Sequence, residues 1–299
     1  MNLGITHDPS NAGPEIKRSA FSTLPQAAAA KAKRAQAHRQ AGAWLRWPAR
    51  PCAAPIVRVA VPTLPAVTAT PAAPALITPG SDCTAAFRAA YTNRYTWEPG
   101  FGGYRGRCLW EQPGPIGEPD RRVEGTFQVG ADLKATVEGI SDEGIHKAIA
   151  SQLWEVAIHR VRRSFEETHG ANTFTAGDTD AVGTEVIVGG RNAGDRYRIK
   201  GDVVTMVHRH IHGTVVTIFT ESTTDTGHGY LSRTYTSQYA DPVSGTARGG
   251  LSRFTDTFAP LAGTGPWVLQ RRLVETEAWG DQPAGRQLFR FEDLAPLPA

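Results

Sequence analysis

Cysteine is scarce: three residues in 299, at positions 52, 83 and 108, with no CxxC pair among them. That excludes a disulfide framework and a paired-cysteine zinc site. No run of 18 apolar residues occurs, so no segment reads as a membrane-spanning helix. The strings GxSxG, HExxH, GxGxxG and GxxxxGKS/T are all missing, which removes the direct hydrolase, metalloprotease, dinucleotide and NTPase readings. No motif recurs with a period of 20–50 residues, which argues against a solenoid or propeller.

The net charge of +3 is unevenly spread. Residues 1–80 hold nine Lys and Arg against only Asp8 and Glu15, whereas the remaining 219 residues hold 23 against 27 acids. A phosphate-binding domain carries its basic excess on the folded part, so no nucleic-acid partner is expected. The first 80 residues also contain 11 of the 21 prolines, and these break both helical and strand periodicity. They read as a disordered Ala/Pro/Arg-rich leader: a transit peptide, a translated stretch from a start set too far upstream, or a disordered arm for an anionic surface. A single β-rich domain is expected over 81–299.

In that body, Ser81 or Asp82 can cap a short helix through Cys83–Tyr91. Strands are expected at Tyr104–Glu111, Arg121–Val129 and Leu133–Gly139. Val123, Gly125, Phe127 and Val129 alternate onto one face. Ser141 opens the one long helix, with acids in its first turn, Ile145, Ile149, Leu153 and Val156 on one stripe, and a stop at Gly170. Arg160, Arg162 and Arg163 would occupy its later turns. Segments near 183–190, 195–200, 202–212, 214–223, 229–240, 246–259, 266–278 and 285–294 read as strands joined by short turns, hence as an antiparallel meander. The expected class is α+β and mostly antiparallel β. A strongly curved sheet or half-barrel would wrap one long helix, in a calycin-like or LolA-like outline.

Five strings, AAYTNRYTWEPGFGGY (89–104), HRVRRSFEETHGANTFTAGDTD (159–180), VIVGG (186–190), DTGHGYLSRTYTSQY (225–239) and FEDLAPL (291–297), carry a resemblance. Together they resemble an uncharacterised family of cyanobacteria and photosynthetic eukaryotes, over 81–295. The resemblance implies an oxygenic phototroph and assigns no site residues. It implies the cytoplasm in a cyanobacterium and the plastid stroma in a photosynthetic eukaryote. Members of that family begin near the first helix, so the leader departs from the pattern.

The densest polar feature is MVHRHIHG (206–213). In a strand, His208, His210 and His212 share a face at steps of about 7 Å. Facing an interior, they could hold zinc, copper or iron, or form a polar patch in a ligand pocket; facing solvent, they would be structural. Glu166, Glu167 and His169 could do acid–base work, but acids at a helix end ordinarily point into water. His228, inside a Gly-His-Gly turn, and Tyr230 could line a pocket mouth, with the glycines serving positive-φ positions. Trp97 belongs to an aromatic group (Tyr91, Tyr95, Phe101, Tyr104, Trp110) that either lines an apolar cavity or packs one end of the sheet.

The reading favoured by these features is non-enzymatic binding of a small apolar or amphipathic ligand, a lipid or pigment intermediate, at His208, His210, His212, His228, Tyr230 and Trp97. Two alternatives remain: a metal-dependent enzyme using His208, His210 and His212, and a docking or assembly factor acting through its surface.

Overall fold

A computed structural model describes residues 77–114 and 120–298. The leader expectation therefore falls, up to residue 76, outside the described residues. The described residues fall within one compact unit.

The short helix α1 (Thr84–Thr92) is followed by β1 (Gly103–Gln112), β2 (Arg121–Gly130) and β3 (Ala135–Glu138). Two helices come next, α2 (Glu143–Ile158) and α3 (Phe165–His169). The meander then runs through β4 (Asn172–Thr179), β5 (Thr184–Gly190), β6 (Arg196–Lys200), β7 (Val203–Ile211), β8 (Thr214–Asp225) and β9 (Tyr230–Ala240). It ends with β10 (Ser252–Pro260), β11 (Trp267–Thr276) and β12 (Gly285–Pro296). All twelve strands form one open antiparallel sheet in the order β3-β2-β1-β12-β11-β10-β9-β8-β7-β6-β5-β4. The chain thus lays β1–β3 down first and joins them to the meander through its last strand.

The alternation expected in β2 holds: Phe127 and Val129 are buried and their neighbours Thr126 and Gln128 are exposed. Strand β4 is an addition to the expected segments. The long helix departs from expectation at both ends. Asp142, not Ser141, caps it, its carboxylate accepting from the Ile145 amide at 3.0 Å. The helix stops at Ile158 rather than near Gly170, because a second start signal lies inside the expected span. Ser164 and Glu167 form a reciprocal capping box that opens α3, and Gly170 ends that helix instead. Arg160, Arg162 and Arg163 therefore lie in the connection between helices. No helix among the described residues is long and apolar enough to cross a membrane.

One face of the sheet carries two separate hydrophobic clusters. Helix α2 packs Ile145, Ile149, Leu153 and Val156 onto Trp110, Phe127, Phe258, Leu269 and Phe289, at the end containing β1–β3 and β10–β12. Helices α1 and α3 pack Phe87, Tyr91 and Phe165 onto Phe174, Val186, Val188 and Tyr197 of β4–β6. A sheet domain usually buries one contiguous core. Here β8, one of the two longest strands, contributes to neither cluster.

Candidate functional site

The strip between the two clusters follows from strand register. Val207 pairs with Tyr197 and with Ile218, so Val207, Arg209 and Ile211 point to the same face as the buried Tyr197. Across β8 and β9, Val216 pairs with Tyr239, Ile218 with Ser237, and Thr220 with Tyr235. Tyr235 pairs in turn with Phe254, and Asp256 with Arg272. Tyr239 is 55% exposed and Ile211 41% exposed on this face, although its two ends are dry cores. Tyr239 and Ile211, beside the buried Val216, make an apolar floor over which neither hydrophobic cluster of the described residues extends.

Beside this floor is a buried charge. The Arg272 guanidinium is held by Asp256 through Nε (2.8 Å) and Nη2 (2.7 Å), and it donates to Gln152 Oε1 and Tyr235 Oη at 2.9 Å each. Glu155 lies 3.5 Å from Nη1, and Tyr235 donates to Glu155 at 3.3 Å. Phe254 stacks on Tyr235 at 4.7 Å between ring centroids and lies 5.2 Å below the guanidinium. Burial works against the charge on Arg272, and Tyr235, Asp256 and Glu155 outweigh it, so the group is held protonated.

Gln152, Glu155 and His159 fall at i, i+3 and i+7, along the flank of α2 that faces the Arg272 network. His159, the residue that follows the last turn of α2, is solvent-exposed. Desolvation and then the charges of Arg160, Arg94, Arg272 and Arg209 lower its pKa, favouring the neutral imidazole. Burial likewise lowers Arg160 to about 10, leaving it charged. The arrangement offers an apolar floor, one neutral histidine and guanidinium groups.

None of the six residues singled out in the sequence lines this strip. His208 and His210 point away from it, on the face opposite Val207, their rings 5.8 Å apart. His208 Nδ1 is 2.8 Å from Thr217 Oγ1. The buried carboxylate of Asp195 accepts from the His210 amide at 2.9 Å and lies 3.3 Å from His210 Nδ1 and from Arg209 Nε. His212 lies beyond the end of β7 at φ 48°, so the alternation that would align three imidazoles stops at His210. Among the described residues no three His, Cys, Asp or Glu side chains are grouped to hold a metal ion. His228 is exposed in its hairpin turn, where Gly227 and Gly229 take positive φ as expected. Tyr230 is buried and its hydroxyl accepts from the Val204 amide at 3.0 Å, while Trp97 donates from Nε1 to the Trp267 carbonyl at 3.0 Å inside the α2 core. Of the acid–base group, Glu167 is occupied by the capping box and His169 is buried among Phe87, Tyr91 and Phe165.

A second depression, of about 570 Å³, lies at the β10–β12 edge of the other core, lined by Thr257, Arg271, Arg290, Asp293 and Leu294 among others. It is shallow and open, and its Arg290 pairs with Glu111 at 3.3 Å. The strip is the better candidate because it combines exposed apolar groups with buried charge. Sequence reasoning missed Tyr235, Tyr239, Asp256 and Arg272; the signal for Asp256 and Arg272 was present as charged residues at inward positions of FTDTF and LQRRL.

The class defined by this geometry is a single-sheet domain with a divided core. The chain belongs to a family of proteins of unknown function, DUF3386, whose model matches residues 78–297. No curated protein matches it. Among solved structures it is similar to a LolA superfamily protein from Nitrosomonas europaea, at 9% identity and a TM-score of 0.31, covering 73% of this chain and 95% of that one. A domain from Vibrio parahaemolyticus, described as an outer membrane lipoprotein-sorting protein, matches at 8% identity and a TM-score of 0.30, covering 72% and 91%. A DUF1329 family protein from Desulfovibrio piger matches at 8% identity and a TM-score of 0.21, covering 66% and 87%.

Proposed function

We propose that the protein binds a small amphipathic ligand, without chemistry, in the strip between its two cores. The observation that carries this reading is the division of the core. The same sheet face is sealed by helices at both ends and leaves Tyr239 and Ile211 exposed between them. Burying such residues under a ligand recovers on the order of 25 cal/mol for each Å² of apolar surface removed from water. In this reading the sheet curls around α2 as an open half-barrel, supported by the reach of Gln152 and Glu155 to β9 and β11.

Native mass spectrometry of the full chain, as purified and after addition of hexadecanol, tests the proposal. A bound species of several hundred daltons or less, released by denaturation and lost in Tyr239→Asp with Ile211→Asp, is the expected result. A bare mass under both conditions would contradict it.

A further inference from the structure

Among the described residues two buried side-chain polar atoms have no hydrogen-bond partner, one in the core under α2 and one in the connection that follows that helix. They are the Tyr104 hydroxyl and Arg160 Nε. Tyr104 is 0% exposed. An orphaned buried donor is costly, and few occur in a native domain. These two are also neighbours in effect. Burial pushes the Tyr104 phenol up in pKa, and the charges of Arg160 and then Arg272 oppose that rise. Trp97 joins them structurally: its amide donates to the Arg160 carbonyl at 2.8 Å, and its ring lies 6.0 Å from that of Tyr104.

The charge inventory points the same way. Arg272 is fully occupied by Asp256, Gln152, Tyr235 and Glu155, and Arg209 is paired with Asp195. Arg160 has only its neighbour's carbonyl, His159 O at 3.4 Å, and the face of Phe258 at 5.4 Å. Arg94 rests on the Tyr91 ring at 3.7 Å and donates to the Tyr91 carbonyl at 2.8 Å. Among the described residues neither Arg94 nor Arg160 is in an ion pair. Asp256, Glu155 and Asp195 are already engaged by Arg272 and Arg209, and Asp202 accepts from the side chain of Asn93 at 2.9 Å. Arg160 therefore carries its charge without a carboxylate partner among the described residues.

From these observations we infer that the ligand of the strip is an anionic amphiphile, whose oxyanion head accepts hydrogen bonds from Arg160 and Tyr104 while its apolar chain lies over β8 and β9. The inference rests on the binding reading above and specifies its ligand class. A carboxylate and a phosphate monoester share the chemistry required, an oxygen acceptor with negative charge on an alkyl chain. A half-buried guanidinium with no carboxylate partner disfavours a cationic head, and a neutral alcohol would leave its charge uncompensated.

The test compares four sixteen-carbon probes on the full-length protein: hexadecanoate, hexadecyl phosphate, hexadecanol and hexadecylammonium. Titrations below their aggregation concentrations are repeated on Arg160→Gln and Tyr104→Phe. A charge-assisted hydrogen bond in a buried site corresponds to about 10- to 100-fold in affinity. One or both anionic probes are expected to bind at least tenfold more tightly than hexadecanol, with hexadecylammonium weakest. The better anion identifies the head as carboxylate or phosphate. Arg160→Gln is expected to erase the preference for the anion, bringing hexadecanoate and hexadecyl phosphate to the affinity that hexadecanol shows on the same variant. Tyr104→Phe, which keeps the ring in the core, is expected to narrow the preference severalfold and supplies an independent check should Arg160→Gln fail to fold. Equal affinity for hexadecanoate, hexadecyl phosphate and hexadecanol, insensitive to both variants, would overturn the inference and leave the binding reading standing. No binding of any probe would overturn both.

Discussion

Arg272 and Asp256 face each other across β11 and β10 as register partners, joined by two hydrogen bonds, with 2% and 1% of their side chains exposed. A bidentate pair this deeply buried is tolerated only when the remaining donors are also satisfied, and Gln152, Tyr235 and Glu155 satisfy them. The pair ties the α2 flank to the middle of the sheet and so fixes one wall of the strip. Asp256→Asn leaves the guanidinium without its counter-charge. A loss of about 3–5 kcal/mol in unfolding free energy is expected, measured by urea denaturation at pH 7. A loss under 1 kcal/mol would show that the pair does not anchor the wall.

Tyr239 tests the floor without touching the cores. Because it is half-exposed, Tyr239→Ala is expected to change stability by no more than about 0.5 kcal/mol. Hexadecanol binding, followed by titration calorimetry, should weaken by about tenfold, since a large aromatic surface is lost from the contact.

His169 makes the domain acid-sensitive. It sits against Phe87, Tyr91 and Tyr197, and burial pushes its pKa down to about 4. The native state keeps the imidazole neutral, whereas the unfolded chain protonates it below about pH 6.5. In the window between these values the unfolded state binds more protons, so stability falls as pH falls from about 6.5 to 4. The full shift corresponds to about 3 kcal/mol. His169→Leu should reduce the slope of denaturation midpoint against pH over that window, leaving the part that His159 contributes, and an unchanged slope would remove His169 as a source.

Ser164 sets the break between the two helices. Its hydroxyl accepts from the Glu167 amide at 3.1 Å while the Glu167 carboxylate accepts from the Ser164 amide at 2.8 Å. Ser164→Ala is expected to cost about 1 kcal/mol, seen as a lower thermal midpoint.

The histidines of β7 lie on the opposite face from the strip. His208→Ala with His210→Ala is therefore expected to leave hexadecanol and hexadecanoate affinities within twofold of the parent. A tenfold loss in calorimetry would place the ligand on that other face.

How much of this was legible depends on how local the signal is. The strands of the sheet were largely readable, because alternation in segments such as Val123–Val129 and short turns such as Gly201-Asp202 are properties of neighbouring residues. The break at Ile158 was concealed, since Val161 continues the apolar spacing of α2 and no glycine or proline interrupts it before Ser164. The capping box at Ser164 and Glu167 was the signal that could have revealed it. The site was hidden for a different reason. Its contacts join residues far apart in the chain: Gln152 meets Arg272 across 120 positions, and Tyr235 meets Glu155 across 80. The compact HRHIH string drew the eye to the other face, because alternation along β7 specifies that 208 and 210 agree but not which face they share.

The most direct test of the divided-core site is to map where an amphiphile lies. A photoreactive sixteen-carbon fatty acid carrying a diazirine on its chain, bound to the full-length protein and irradiated, marks its neighbours for peptide mass analysis. Labels concentrated on residues 207–220 and 231–240 and on the α2 flank at 152–160, displaced by excess hexadecanoate, are the expected outcome. Labels on the depression beside Arg271 and Arg290, or labelling that excess hexadecanoate leaves in place, would contradict the account.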